Sequence, residues 1–349
     1  MRGVVFTGDR QLEIRDFPDP SPGPGEVVLQ IKASGMCGSD LKFYRAAPGE
    51  AQRALGLGDL AEPIIAGHEP CGIVVEVGPG VSEAEARPGM RVMDHHYCGC
   101  GVCHHCRLGW SQLCGAGFAV YGATAHGAHA DYMKVPARTL VSLPDELSFA
   151  TGAAISCGTG TAYQALRRMN VSGRDTLAVF GQGPVGLSAT QLGAAMGARI
   201  VALDVSPERR ALAAGMGAET VLDPAADDPV AALKELTRGQ GVDLALDCSG
   251  AEAARIAAIR ATRTWGTVCF VGEGGSVTVD VSRDMIRKQL TVIGSWTFSS
   301  VIQAECARFI AERGIDVERV FTERYTLDQA AEAYRRFDTQ TTGKGVFLL

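Results

Sequence analysis

The stretch Gly181-Gln182-Gly183-Pro184-Val185-Gly186 follows an apolar run, Leu177-Ala178-Val179-Phe180, and opens a helical pattern that begins at Pro184. It is a G-x-G-x-x-G set between a strand and a helix. There the first glycine permits the tight turn, the second lets the backbone approach a pyrophosphate, and the third allows close helix–strand packing. The helix N-terminus favours the anion through its unpaired N–H groups. The next apolar strand, Ile200-Val201-Ala202-Leu203, ends in Asp204, 23 residues after Gly181. That is near the spacing of ~20 expected for a carboxylate that holds a ribose hydroxyl. The same carboxylate would repel a 2′-phosphate, so NAD(H) is favoured over NADP(H). Arg209, five residues on, lies either along an adenosine or in solvent.

Outward from this motif the rhythm persists. A helix is expected from Pro207 to Met216, a strand at Val242–Asp247, a helix over Ala251–Ala261, and strands at Val268–Val271 and Leu290–Gly294. Apolar strands alternating with helices indicate βαβ units and a parallel sheet covered on both faces. The residues before Ser156 read differently, with short alternating strands such as Val27–Lys32 and Cys71–Val77 bounded by Gly and Pro. The stretch from Ala46 to Glu62 is an excursion with possible helix. After Gly294 two helices are expected, around Ala304–Arg313 and Leu327–Arg336, then a closing apolar segment, Gly345–Leu349. This tail is too short to be a domain and is expected to pack back on the first one.

Composition narrows the class. Of 349 residues, 46% are hydrophobic and 21% charged, the balance of a chain with a buried core. The net charge is −6, and no Lys/Arg-rich run appears, so the footprint of a nucleic-acid binder is missing. The uncharged stretch Thr176–Ala198 is broken by six glycines and prolines, which fits a strand, turn and helix better than a membrane span of ~20 apolar residues. No secretory signal is legible at the N-terminus, and eleven cysteines cannot all pair. A reduced, cytoplasmic setting is expected, where clustered cysteines suggest metal.

Glycine is in excess, with 43 residues against a usual share of about 7%. All seven histidines fall between His68 and His129, and five of eleven cysteines between Cys98 and Cys114. Cys100, Cys103, Cys106 and Cys114 follow C-x2-C-x2-C-x7-C, and four thiolates so placed can close a tetrahedral structural zinc site. An iron–sulfur run would bring its fourth cysteine after three residues, followed by Pro; here it comes after seven, followed by Gly115. Cys98 is the surplus member and could shift the register. His104 and His105 lie between the ligands and are expected to be exposed loop side chains.

Three further segments complete a pattern: Gly35-Met36-Cys37-Gly38-Ser39-Asp40, Gly67-His68-Glu69-Pro70, and Cys157 in Ser156-Cys157-Gly158-Thr159-Gly160. With the cysteine lobe and the glycine motif in this order, the chain resembles the zinc-dependent medium-chain alcohol and polyol dehydrogenases over essentially its whole length. The resemblance implies an α/β chain in which a doubly wound Rossmann domain, residues 157–294, joins a β-rich GroES-like catalytic domain, residues 1–156 and 295–349. It implies two zinc ions per chain and NAD(H). Cys37, His68 and Cys157 would hold a catalytic zinc between the domains, with Glu69 an alternative ligand and Asp40 orienting His68. Ser39 would take the alcohol proton. Relatives often continue this relay to a histidine, but Lys42 stands there, so the proton would pass to Lys42, to water, or more slowly.

The resemblance also places Asp247-Cys248-Ser249-Gly250, Val271-Gly272 and Ser295-Trp296-Thr297 along the cofactor and inner pocket. The sorbitol- and iditol-type branch is nearest, yet Cys157 replaces its usual glutamate. A pocket lined by Phe43, Trp296 and Phe298 suits a less hydroxylated substrate, because buried unpaired polar groups cost ~1–3 kcal/mol each. The expected partners are a small alcohol or ketone and copies of the chain itself, as a homodimer or homotetramer, with no nucleic acid and no membrane. Rival expectations are a sugar- or threonine-type 3-dehydrogenase, a zinc-free NADPH-dependent quinone or enoyl reductase on the same fold, and a non-catalytic nucleotide-binding protein with structural zinc only. Of the seven histidines, only His68 is expected to have a chemical role.

Overall fold

The apolar run before the glycine motif forms the strand Thr176–Phe180, buried at four of its five residues. A strand so buried needs cover on both faces and partners on both edges. It pairs in parallel with Arg199–Leu203 on one side and Val242–Asp247 on the other. Thr220–Leu222 extends the first side, and Thr262–Phe270 and Thr291–Gly294 extend the second, again in parallel. The spatial order is thus third, second, first, fourth, fifth, sixth, the doubly wound Rossmann arrangement. Its core is a continuous apolar cluster that includes Phe180, Val201, Leu203, Leu233, Ala245, Ile259 and Val268.

A computed structural model of the chain describes residues 1–47, 49–54, 56, 62–341 and 343–349. These residues form two compact units. One comprises Met1–Gly160, Phe298–Gln340 and Lys344–Leu349; the other comprises Thr161–Thr297 and Thr341–Gly343. The changeover lies after Gly160 and before Phe298, a few residues from the expected boundaries at 156/157 and 294/295. Of the excursion from Ala46 to Glu62, Glu50–Ala54 is a short helix, while residues 48, 55 and 57–61 lie outside the described residues. Among the described residues, no helix is long and apolar enough to cross a membrane.

Local chemistry explains the helices of the second unit. Pro184–Ala195, Pro207–Gly215 and Pro229–Leu236 each begin with Pro, whose missing N–H and fixed φ suit the first helical position. Ser206 and Asp228 accept hydrogen bonds from the N–H groups of the turns they cap. The three-residue strand Thr220–Leu222 and the helix Pro229–Leu236 have too short a pattern to stand out in the sequence.

The first unit is built on the ten-residue strand Glu26–Gly35. It pairs antiparallel with Pro70–Val77, Tyr132–Pro136 and Lys344–Leu348. Arg91–Asp94 and Leu140–Ser142 continue one side of the sheet, and Phe321–Tyr325 closes the other. The closing apolar segment is therefore an interior strand, and the C-terminal tail belongs mostly to the first unit.

The glycine motif has distinct requirements at each position. Gly181 has φ +89°, a left-handed conformation that favours glycine. A Cβ on Gly186 would lie 1.8 Å from the Gly181 carbonyl oxygen, whereas one on Gly183 would meet nothing within 4 Å. Gly186→Ala is therefore expected to lower stability by about 1–3 kcal/mol through overpacking. Gly183→Ala should leave stability nearly unchanged while weakening dinucleotide binding. Thermal melts with and without NAD(H) check both outcomes.

Candidate metal and cofactor sites

Two strand ends and a helical turn bring three separated segments of the first unit together. The strand Glu26–Gly35 runs out into Met36 and Cys37; the N–H of Gly35 donates to the Glu69 carbonyl at 3.2 Å, and that of Met36 to the Gly345 carbonyl at 2.9 Å. His68 and Glu69 immediately precede the strand Pro70–Val77. Cys157 lies in the wide π-type turn Ile155–Thr159, a geometry frequent at functional sites. The adjacent Ser156 hydroxyl donates to the Pro70 carbonyl at 2.8 Å, tying this turn to the strand that follows His68 and Glu69.

As a result, one ligand atom from each of Cys37, His68, Glu69 and Cys157 lies within 4.8 Å of the others. The two sulfurs are 3.8 Å apart. The Cys157 hydrogen bond pulls the Cys37 thiol well below its ordinary range, against burial. Cys157 is pushed up by the same bond and by burial. The Asp40 carboxylate accepts the Cys37 N–H at 2.8 Å and faces His68 Nδ1 at 2.8 Å. The Ser39 hydroxyl lies 3.2 Å from His68 Nε2 and 3.3 Å from the Cys37 sulfur. Two thiols, an imidazole and a carboxylate form a donor set that fits zinc, and three protein ligands would leave a position open for substrate.

A group not anticipated from the sequence sits behind this set. Lys344 Nζ contacts Glu69 Oε1 at 2.5 Å, with exposures of only 2% and 0%. Burial pushes Glu69 up to about 8, and the ammonium of Lys344 is the main opposing influence. The other carboxylate oxygen, Oε2, is buried without a partner, a second sign that this pocket suits a cation. In this arrangement Lys344 holds Glu69 as a neighbour of the ligand set. The sequence gives no warning of the pair, since 275 residues separate its members.

Cys100, Cys103, Cys106 and Cys114 form a second group within 4.8 Å. Backbone N–H groups of Val102 and Cys103 draw the exposed Cys100 thiol down to about 6, while burial pushes Cys106 up to about 12. Four sulfurs so grouped fit a closed tetrahedral structural zinc site. Cys98 stands outside the group and accepts from Arg138 at 3.2 Å, so the register is that of the tetrad without it. His104 and His105 are exposed.

Two further histidines lie close to this set. His96 is buried, its ring 5.2 Å from that of His68, and its Nδ1 lies 2.8 Å from the Ser156 carbonyl. Burial holds its pKa well below the usual value, so it sits beside the ligand set as a neutral ring. His129 is buried and linked to the same set, as described below. The seven histidines had given no signal beyond their clustering.

The cofactor residues all belong to the second unit. The Asp204 carboxylate accepts from the Gln182 N–H at 2.6 Å and from the Ser206 N–H at 2.8 Å, which sets it against the Gly181–Gly186 loop. Arg209 is half-buried and within electrostatic reach of Asp204. The N–H groups of Val271 and Gly272 both donate to the Asp247 carbonyl at 2.9 Å. Ser295 is buried with an unpartnered hydroxyl, and Trp296 is 44% exposed. These positions follow the C-terminal ends of sheet strands, where doubly wound folds bind their ligands. The open space beside Gly183 is room for a pyrophosphate, so the residues fit a nicotinamide dinucleotide. Of the expected apolar lining, Phe298 lies in the first unit, edge-on to His95 and His96. Phe43 is half-buried in that unit, and Trp296 belongs to the other.

Comparison with known proteins agrees with this geometry. The alcohol dehydrogenase GroES-like domain model matches residues 23–145, and the zinc-binding dehydrogenase model matches residues 184–312. The chain is 38% identical to the uncharacterized zinc-type alcohol dehydrogenase-like protein YphC of Escherichia coli, covering 99% of this chain and 98% of that one. It is 32% identical to L-threonine 3-dehydrogenase of Pyrococcus horikoshii, covering 97% and 95%. The solved alcohol dehydrogenase TADH of Thermus sp. ATN1 superposes with a TM-score of 0.89 at 28% identity, covering 100% and 99%.

The buried ion pair yields a stability test. Lys344→Met leaves Glu69 either to protonate or to stay buried as a bare charge, and is expected to cost up to about 3–5 kcal/mol in chemical denaturation above pH 8 and less below it. The double variant Glu69→Gln/Lys344→Met removes both charges and should recover more than half of that loss.

Proposed function

The chain belongs to the zinc-binding medium-chain alcohol and polyol dehydrogenases, oxidoreductases of zinc and a nicotinamide cofactor, and from that premise we propose that it moves a hydride between NAD(H) and a secondary alcohol or polyol and its ketone. The observation that supports this reading is the convergence of Cys37, His68 and Cys157, separated by 31 and then 89 residues, on one ligand cluster. We propose two zincs per chain, one in the cysteine tetrad and one at this cluster. Zinc there would supply Lewis acidity, as when it lowers the pKa of bound water to about 7.

The chain's own residues do the rest. Asp40 orients His68, and Lys344 holds Glu69. Ser39, within hydrogen-bond reach of His68 Nε2 and the Cys37 sulfur, takes the alcohol proton. Beyond it lies exposed Lys42 on the helix Asp40–Arg45, so the proton passes to Lys42 or directly to water. The apolar edge of Phe298 and the neutral ring of His96 favour a substrate with fewer hydroxyls than sorbitol. A second reading, L-threonine 3-dehydrogenase activity, is favoured by the 32%-identical relative of that name. The eleven free cysteines fit work in the reducing cytoplasm, and a homodimer or homotetramer is the assembly we propose.

Elemental analysis is expected to give two zincs per chain; one would favour a non-catalytic nucleotide-binding protein. Cys37→Ser should lose one zinc and at least ~100-fold in activity while retaining the fold by circular dichroism. Full activity in that variant would remove the assignment. An NAD-reduction screen over secondary alcohols, diols, polyols, sugar derivatives and L-threonine names the substrate. Sorbitol or xylitol turning over well above simple secondary alcohols would reverse the preference stated above.

The carboxylate of Asp204 supports NAD(H) by repelling a 2′-phosphate. Wild-type kcat/KM is expected to favour NAD over NADP by more than tenfold. Asp204→Ser should narrow that ratio by about tenfold, or ~1.4 kcal/mol; an unchanged ratio would show that Asp204 does not discriminate.

A further inference from the structure

We propose that Ser34, His129 and Tyr334, acting through Asp40, form a buried hydrogen-bond chain that fixes which nitrogen of His68 carries its proton and so keeps Nε2 free for the metal. His129 and Tyr334 are thereby positioning residues of the cluster formed by Cys37, His68 and Cys157. The inference rests on the reading of that cluster as a zinc site.

The chain is continuous. Ser34 Oγ lies 2.7 Å from His129 Nδ1, and His129 Nε2 lies 2.7 Å from the Tyr334 hydroxyl. The Tyr334 hydroxyl donates to Asp40 Oδ2 at 3.2 Å, and Asp40 Oδ1 faces His68 Nδ1 at 2.8 Å. Ser34, His129 and Tyr334 are fully buried and Asp40 is 2% exposed, so solvent does not compete for any link.

Donor counting gives the chain one direction. A carboxylate accepts and has no proton to give, so the single proton of Tyr334 points to Asp40. The tyrosine oxygen must then accept from His129 Nε2–H. Burial draws His129 down to about 4, which leaves a neutral ring with one N–H. Its Nδ1 therefore accepts from the Ser34 hydroxyl. At the far end Asp40 accepts from His68 Nδ1–H, and the remaining lone pair of His68 is on Nε2. Partners of this kind fix the ring orientation and tautomer of a metal-ligating histidine.

The surroundings hold the chain in place. A Cβ on Gly67, the residue before His68, would lie 2.4 Å from His129 Nδ1, so the ring fits only beside glycine. Phe6 packs edge-on against Tyr334 at 4.8 Å, and Phe347 against His129 at 4.7 Å. The chain ends at Ser34 inside the sheet and does not reach water. It orients His68; it is no exit for protons.

Zinc release to a chromogenic chelator, followed at both sites of the full-length protein, tests the proposal. Tyr334→Phe keeps the ring and removes the hydroxyl, and should weaken zinc at the His68 cluster by about 10- to 100-fold. The cysteine tetrad serves as internal control and should be unchanged. His129→Leu should match that loss, whereas His129→Gln, which restores an N–H donor at the Nε2 position, should recover most of the affinity. With cobalt in place of zinc, only the spectrum of the His68 cluster should shift in Tyr334→Phe. Two zincs held with wild-type affinity in both Tyr334→Phe and His129→Leu would overturn the proposal alone. A wild-type protein with one zinc, in the tetrad, would overturn the zinc reading and the proposal together.

Discussion

The register of two antiparallel pairings made by one strand governs the candidate catalytic site. Strand Glu26–Gly35 sets Ser34 opposite Pro70 and Gly35 opposite Val346. Its continuation delivers Cys37; the start of its first partner delivers His68 and Glu69, and the start of its second delivers Lys344. Because side chains alternate across a sheet, a slip of one residue would turn each of these groups to the opposite face. The site is thus largely a property of strand ends, and the sheet around it maintains those ends in line.

That placement brings charge into the interior. Lys344 and Glu69 are buried as a pair, and Asp40 is buried among Cys37, His68 and Tyr334. Ion pairs in such surroundings are weak sources of stability, because desolvation offsets their attraction. Their value is geometric, since each carboxylate has donors on defined sides and is held where a bound cation would need it.

How far the sequence reveals this depends on how local each feature is. The glycine motif, the carboxylate at Asp204 and the cysteine tetrad each lie within about two dozen residues, so spacing carries their geometry. The parallel strands are legible because burial on both faces makes them continuous apolar runs. Cys37, His68 and Cys157 are too far apart for spacing to join them, and only the resemblance to a family did so. Lys344, Tyr334 and His129 were invisible because their partners are 205 to 294 residues away and a lysine or tyrosine in a tail looks like any surface residue. The histidine cluster carried little: His104 and His105 are exposed, as their place between the tetrad cysteines suggested, whereas His129 reaches Asp40 only through distant Tyr334.

The two candidate cation sites consequently depend on folding in different ways. The tetrad spans fifteen consecutive residues around the short helix His104–Arg107, with ligands partly prepared by nearby backbone N–H groups. Such a loop can gather its ligands with little help from the rest of the chain, and a metal bound there would itself supply folding energy. The Cys37–His68–Cys157 cluster exists only once the central sheet has closed on its C-terminal strand, because Gly345 anchors the turn that carries Cys37. Its ligands converge as a consequence of tertiary structure, so any change that loosens the strand Lys344–Leu348 reaches this cluster before it reaches the tetrad.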